Sequence, residues 1–203
     1  GGYCFELNGL FLQALQHFGF EARALLARVH LRGEPSGRTH QLSLIEIAGR
    51  EWVADVGFGA STPRAPMLFE LNRIREVDGR RCRLVAAEPW GTMLQQDGPE
   101  GWENLYSFDL MHVCPADIAT GNHFTSTHPE THFTKMRMAN LPTERGRLSL
   151  ADFVLTEVVD GESRSTRIPD SDEYLGVLER RFGIKLDAGY GDLKPVGGGD
   201  DVG

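Results

Sequence analysis

The chain has 203 residues, 40% of them hydrophobic and 25% charged, with a formal net charge of -8 at pH 7. This length can bury a real core, and the acidic balance with scattered arginines excludes the basic face of a nucleic-acid binder. No apolar run approaches the roughly 20 residues that cross a bilayer, which excludes a helical membrane span. Three cysteines at wide spacing, Cys4, Cys82 and Cys114, form neither a disulfide framework nor a CxxC metal pattern. They suit a reducing compartment, so the expected location is the cytoplasm. The chain opens at Gly1 rather than methionine, and targeting is not read from this end.

In chain order, Leu7, Leu10, Phe11, Ala14, Leu15 and Phe18 recur at i, i+3, i+4 spacing, which predicts a helix from Cys4 to Phe18 with one buried face. Gly19 supplies its stop. Short apolar or alternating segments then predict strands over Arg23–Leu31, Gln41–Ile47 and Glu51–Asp55, separated by turns at residues 33–37 and at Gly49-Arg50. Further strands are expected over Arg81–Glu88, Thr92–Gln96 and Trp102–Phe108, with turns at Asp78-Gly79 and Asp97-Gly98. Many short strands at close intervals argue for an antiparallel sheet curling into a barrel, an α+β fold. Residues 111–132 read as a connector holding a short helix or loop. A second strand group follows over Thr134–Ala139, Arg147–Leu150 and Phe153–Val159. A final helix over Ser171–Phe182, capped by Asp170 or Ser171, packs Tyr174, Leu175, Leu178 and Phe182. The expected division is therefore 1–20, 21–110, 111–132, 133–190 and a flexible tail, 191–203.

The residues able to carry chemistry start with Cys4. A thiol at a helix N-terminus meets the positive end of the helix dipole and unpaired backbone N–H groups, which favour the thiolate. The same residue also fits a small buried core position, and Cys82 and Cys114 carry only that reading. His40 opens a strand after a Gly/Pro/Ser loop, where its ring can face a cleft; lone histidines also serve as surface or satisfied core residues. Asp55 ends an apolar strand, where a carboxylate is costly without a partner. A histidine N–H would satisfy it and fix the imidazole tautomer, while a turn-forming aspartate ahead of Gly57 is the plainer reading. Together, a cysteine nucleophile, histidine base and aspartate orienter in this chain order are the parts of covalent acyl transfer.

Other candidates are weaker. His123, His128 and His132 fall within ten residues, but Pro129 interrupts the helix that would align the last two, so no metal is expected. The glycines at 197–199 lack the following helix and lysine of a phosphate loop.

The segments Gly1-Gly2-Tyr3-Cys4-Phe5-Glu6-Leu7-Asn8, Thr39-His40, Ala54-Asp55-Val56-Gly57-Phe58-Gly59 and residues 122–129 strongly resemble the arylamine N-acetyltransferases, in order and spacing through nearly the whole chain. The resemblance implies a papain- and transglutaminase-like fold in which the cysteine helix packs on the barrel and an α/β lid follows at 133–190. The family's N-terminal helical domain, which ends in an arginine ahead of the two glycines, would be mostly absent here. The resemblance further implies a triad of Cys4, His40 and Asp55 and acetyl-coenzyme A as the acetyl donor, with no metal. The acceptor would be a small aromatic amine, hydrazine or arylhydroxylamine. Val29, Phe58 and Phe133 would line the acceptor pocket, and Thr39, Gly57, Phe124, Thr125, Ser126 and Thr127 would lie near coenzyme A. Phe124 stands where the family commonly has tyrosine, so a hydroxyl contact to coenzyme A would be missing. A cysteine hydrolase with the same triad, and a catalytically inactive module that binds coenzyme A or aromatic ligands, are the rival readings. No nucleic acid or membrane partner is expected, and nothing sets the oligomeric state.

Overall fold

The computed structural model describes residues 2–31, 33–61, 63–77, 79–193 and 196. Asp78, most of the tail from 191 and the glycines at 197–199 therefore lie outside the described residues. The chain divides into two compact units, residues 2–124 and Thr125 onward.

The first unit opens with α1 (Cys4–His17). Tyr3 precedes it, and the Glu6 carboxylate reaches back to accept the Tyr3 backbone N–H at 2.9 Å, so an orphan donor at the helix start is satisfied. The buried face differs from the expected one. Cys4, Phe5 and Asn8 are buried; Leu7, Phe11, Ala14 and Leu15 are half-buried; Leu10 and Phe18 are 68% and 78% exposed. Apolar residues occur all round this helix, so periodicity alone does not choose its inner face.

The strands β1 (Glu21–Val29), β2 (Arg38–Ile47), β3 (Arg50–Ala54), β4 (Met67–Leu68), β5 (Arg75–Val77), β6 (Arg80–Ala86), β7 (Thr92–Gly98) and β8 (Gly101–Phe108) follow. Among the described residues they form one sheet ordered β4-β3-β2-β1-β8-β7-β6-β5, antiparallel throughout. Beyond β4 the chain returns to β6, where Leu71 bridges Leu84 and Asn72 N–H donates to Leu84 O at 2.7 Å. That contact curls the sheet nearly closed around Leu25, Ala27, Leu42, Leu84, Leu94 and Phe108, all essentially inaccessible. Three sequence boundaries shift. His40 is the third residue of β2 rather than its first, Asp55 lies just beyond β3, and Asp97-Gly98 belongs to β7, with the turn at 99–100. Ala48 and Gly49 make the β2–β3 turn at φ of 52° and 72°, the geometry that matches strand twist in a two-residue hairpin.

The expected connector holds α2 (Pro115–Thr127), a full helix that crosses the boundary between the units. Pro115 sits at its first position and Asp117 accepts the Cys114 N–H at 2.9 Å.

In the second unit, the short α3 (His132–Lys135) occupies part of a segment expected to be strand. The strands β9 (Met138–Thr143), β10 (Gly146–Ala151), β11 (Val154–Val159) and β12 (Glu162–Arg167) then form an antiparallel sheet ordered β12-β11-β10-β9. Pro142 is tolerated in β9 because that strand is an edge. The helix α4 (Glu173–Phe182) buries Tyr174, Val177, Leu178 and Phe182 in the cluster holding Ala139, Leu148, Leu150 and Leu155, and Gly183 ends it at φ 67°. Its Glu173 N–H is met by Ser171 Oγ at 3.4 Å.

Leu84 carries both the barrel core and its closure. We expect Leu84→Ala to cost about 2–5 kcal/mol, measured by urea unfolding.

Candidate active site

The site begins where α1 meets β2 and β3. Strand β2 pairs with β1 through Ala27↔His40 and with β3 through Ser43↔Ala54. Alternation turns His40 and Leu42 into the barrel, while Gln41 and Ser43 lie on the other face. Asp55 leaves β3 in phase with inward Val53 and meets His40, with His40 Nε2 at 2.7 Å from Asp55 Oδ2. Both side chains are buried. With Nε2 committed to the carboxylate, Nδ1 is the nitrogen left for Cys4, whose thiol is near enough to help raise the His40 pKa. The Cys4 thiol also approaches Thr39 O at 3.7 Å. The three residues singled out in the sequence are thus brought together.

Electrostatics follow from this chain. Burial works against charge on His40, but the Asp55 charge and hydrogen bond, helped by Cys4, outweigh it and raise the His40 pKa. Burial likewise opposes the Asp55 carboxylate. The charge of His40 and hydrogen bonds from His40, Asn8 and the Gly57 backbone nevertheless hold its pKa below the ordinary value. The favoured state is an imidazolium–carboxylate pair.

Two residues in this network escaped the sequence reading of the site. Asn8, fully buried one turn after Cys4, donates from Nδ2 to Gln41 O at 2.7 Å and to Asp55 Oδ1 at 3.0 Å, and its Oδ1 accepts the Val56 N–H at 3.0 Å. Gly57 N–H adds a third donor to the carboxylate, reaching Asp55 Oδ1 at 2.8 Å. Tyr106, on β8, lies near Asp55, and burial with that negative neighbour pushes its phenol pKa far up. An asparagine four residues past the cysteine, inside an apolar helix, was a readable signal for Asn8. Tyr106 gave none, because its approach to Asp55 depends on sheet closure.

The aromatic candidates behave differently from one another. Phe58 packs against the barrel core and stands edge-on to His40 at 4.9 Å and to Tyr106 at 4.8 Å, while Tyr106 lies 5.0 Å from His40. The imidazole is therefore walled by two rings. Val29 is half-buried opposite Tyr106 in the β1–β8 ladder. A small cavity behind Asp55 and Tyr106 is otherwise apolar, bounded by Val53, Met67, Leu84 and Leu94 among others, and neither Val29 nor Phe58 lines it. Thr39, Gly57 and Phe124 belong to the first unit, and Thr125, Ser126, Thr127 and Phe133 to the second. Thr125 is buried, whereas Phe124 and Phe133 are exposed. Cys82 is a core residue of the barrel. Among the described residues no cluster of His, Cys, Asp or Glu could hold a metal, and no helix is long and apolar enough to cross a membrane.

A helix that delivers a thiol to an imidazole and carboxylate on a curled antiparallel sheet defines the papain-like cysteine-enzyme arrangement. The N-acetyltransferase family profile matches residues 1–190. An arylamine N-acetyltransferase of Escherichia coli is 34% identical over 193 residues, spanning 92% of this chain and 68% of that protein. The solved arylamine N-acetyltransferase of Salmonella typhimurium superposes with a TM-score of 0.85 at 34% identity, covering 93% of this chain and 71% of that one. The Mycobacterium marinum arylamine N-acetyltransferase in complex with CoA matches with a TM-score of 0.84 at 30% identity, covering 91% and 70%. This chain belongs to the arylamine N-acetyltransferase family.

Two outcomes follow from the network. Asn8→Ala strands the groups that Asn8 satisfies, and we expect a loss of about 3 kcal/mol by urea unfolding. For pH, the raised His40 pKa means its stabilisation is full below the ordinary value of 6.5 and is lost as pH rises toward about 10. The depressed Asp55 pKa means its stabilisation is full above 3.8 and is lost as pH falls below it. The gap in melting temperature between the parent chain and His40→Gln is therefore expected to be widest between those two ordinary values and to narrow toward alkaline pH.

Proposed function

We propose that this chain transfers an acetyl group from acetyl-coenzyme A to an arylamine, hydrazine or arylhydroxylamine by way of an acetyl-cysteine. The observation that carries this reading is a buried Cys4 at the first turn of a helix beside the buried, bonded His40–Asp55 pair. His40, as the imidazolium, holds on Nδ1 the proton that Cys4 has given up, and the thiolate attacks the thioester carbonyl. Coenzyme A leaves as its thiol, taking a proton from the imidazolium, and an acetyl group remains on Cys4. The amine then attacks that carbonyl and gives up a proton through His40, and the Cys4 thiolate departs. Asp55 holds the imidazole in the required orientation and stabilises its charge throughout.

Backbone N–H groups at the start of α1 are suited to hold the oxyanion that forms in each half-reaction. Val29, Phe58 and Phe133 are assigned to the aromatic acceptor, and Thr39 and residues 124–127 to coenzyme A, following their places in the family's motifs. On this reading residues 1–20 present the nucleophile, 21–110 carry its base and orienter, 111–132 connect, and 133–190 serve as the lid.

The test is intact-mass spectrometry after mixing with acetyl-coenzyme A. We expect an adduct of about 42 Da, one acetyl group, located on Cys4. It should be absent in Cys4→Ser and discharged faster by an arylamine than by water. Discharge to water at the same rate with or without amine would identify a hydrolase, and no adduct at all would leave a binding module.

A further inference from the structure

Gly57 is bound to the site through its backbone and bounded by it where a side chain would be. Its N–H donates to Asp55 Oδ1 at 2.8 Å. A Cβ built on it would lie 2.8 Å from the Cα of Cys4, 2.8 Å from Nδ2 of Asn8 and 3.4 Å from the Cβ of Cys4. Its φ is not in the left-handed region, so alanine would meet no backbone strain there. The whole demand for glycine is spatial. Neither neighbour can give way: the Cys4 Cα is the backbone of the first turn of α1, and the Asn8 amide is held by Gln41 O, Asp55 Oδ1 and the Val56 N–H. Gly9, on the same helix, has open space in its Cβ direction.

We infer that Gly57 is a positioning residue that sets how closely Cys4 meets His40 and Asp55. This rests on the triad reading above, and it gives Gly57 a packing role in place of the coenzyme A contact implied by the family's motifs. Reaching ordinary contact at 3.4 Å from 2.8 Å requires the 55–58 turn to recede from α1 by about 0.6 Å. The turn carries Asp55, so recession loosens both the carboxylate's bond to His40 and the approach of His40 to Cys4. Displacements on this scale cost one to two orders of magnitude where reacting groups must be aligned.

The test is Gly57→Ala beside Gly9→Ala, read by two assays on the folded proteins. One is the rate at which iodoacetamide alkylates Cys4, which needs neither coenzyme A nor an amine. The other is steady-state acetyl transfer. For Gly57→Ala we expect both the alkylation rate and kcat to fall about tenfold or more, with KM for acetyl-coenzyme A little changed; Gly9→Ala should match the parent in both. Parent-like alkylation with a raised KM for acetyl-coenzyme A would make Gly57 a ligand contact and overturn the inference, as would no change in either assay. If the parent alkylates at Cys4 but transfers no acetyl group, the proposed function fails while the alkylation comparison still judges Gly57. Should Gly57→Ala not fold, amide exchange in the parent decides. A Gly57 N–H as protected as that of Leu42 fits the packed role, and free exchange contradicts it.

Discussion

The 2.7 Å bond between His40 and Asp55 is the constraint on which the rest of the site depends. Two ionisable groups taken out of water are costly, and their attraction offsets that cost only when remaining lone pairs and protons also find partners. Here Asp55 has a full set. One oxygen takes His40, the other takes Asn8 and the Gly57 N–H, and Tyr106 lies nearby. The Phe58 and Tyr106 rings beside the imidazole keep water from screening the pair. The result is a histidine whose charge is stabilised by its surroundings and whose ring cannot rotate freely.

That pair would be inert without the helix laid across it. Cys4 is separated from His40 and Asp55 by long stretches of chain, and one buried side chain bonds both to the strand that carries His40 and to the turn that carries Asp55. Asn8 ties α1 to β2 through Gln41 O and to the end of β3 through Asp55 and Val56. Because Asn8 lies one turn beyond Cys4, the same face of α1 that supplies the thiol also fixes its distance from the base. The close pass of Gly57 beneath Cys4 belongs to the same joint. Helix, hairpin and turn are locked together within a few ångströms of the chemistry, which is how a site of this kind holds its geometry before substrate arrives.

Much of this was legible in the sequence, and the gaps have physical causes. The helix at Cys4, the hairpin of β2 and β3, the long barrel strands and α4 follow from period and turn residues. The inner face of α1 did not, because apolar residues surround it and the polar Asn8 faces inward. β4 and β5 are too short to show alternation, and sheet pairing alone defines them. β12 reads Glu-Ser-Arg-Ser-Thr-Arg with every residue exposed, so it exists through its backbone ladder to β11 and the Thr156–Ser165 contact. α2 has almost no apolar stripe, so periodicity left it as a connector, although Pro115 at its first position and Asp117 on the Cys114 N–H are the start signals it carries. At the site, residue types and chain order pointed to Cys4, His40 and Asp55, whereas Tyr106 could be found only by closing the barrel.

The central claim is that His40 rests as a buried imidazolium between Asp55 and Cys4, and the direct measurement is the 15N NMR spectrum of the His40 ring in the ligand-free protein near neutral pH. The account predicts two protonated ring nitrogens, Nε2 toward Asp55 and Nδ1 toward Cys4, persisting to pH well above the ordinary histidine value. A neutral ring carrying one proton at pH 7, titrating near 6.5 like an exposed histidine, would contradict it.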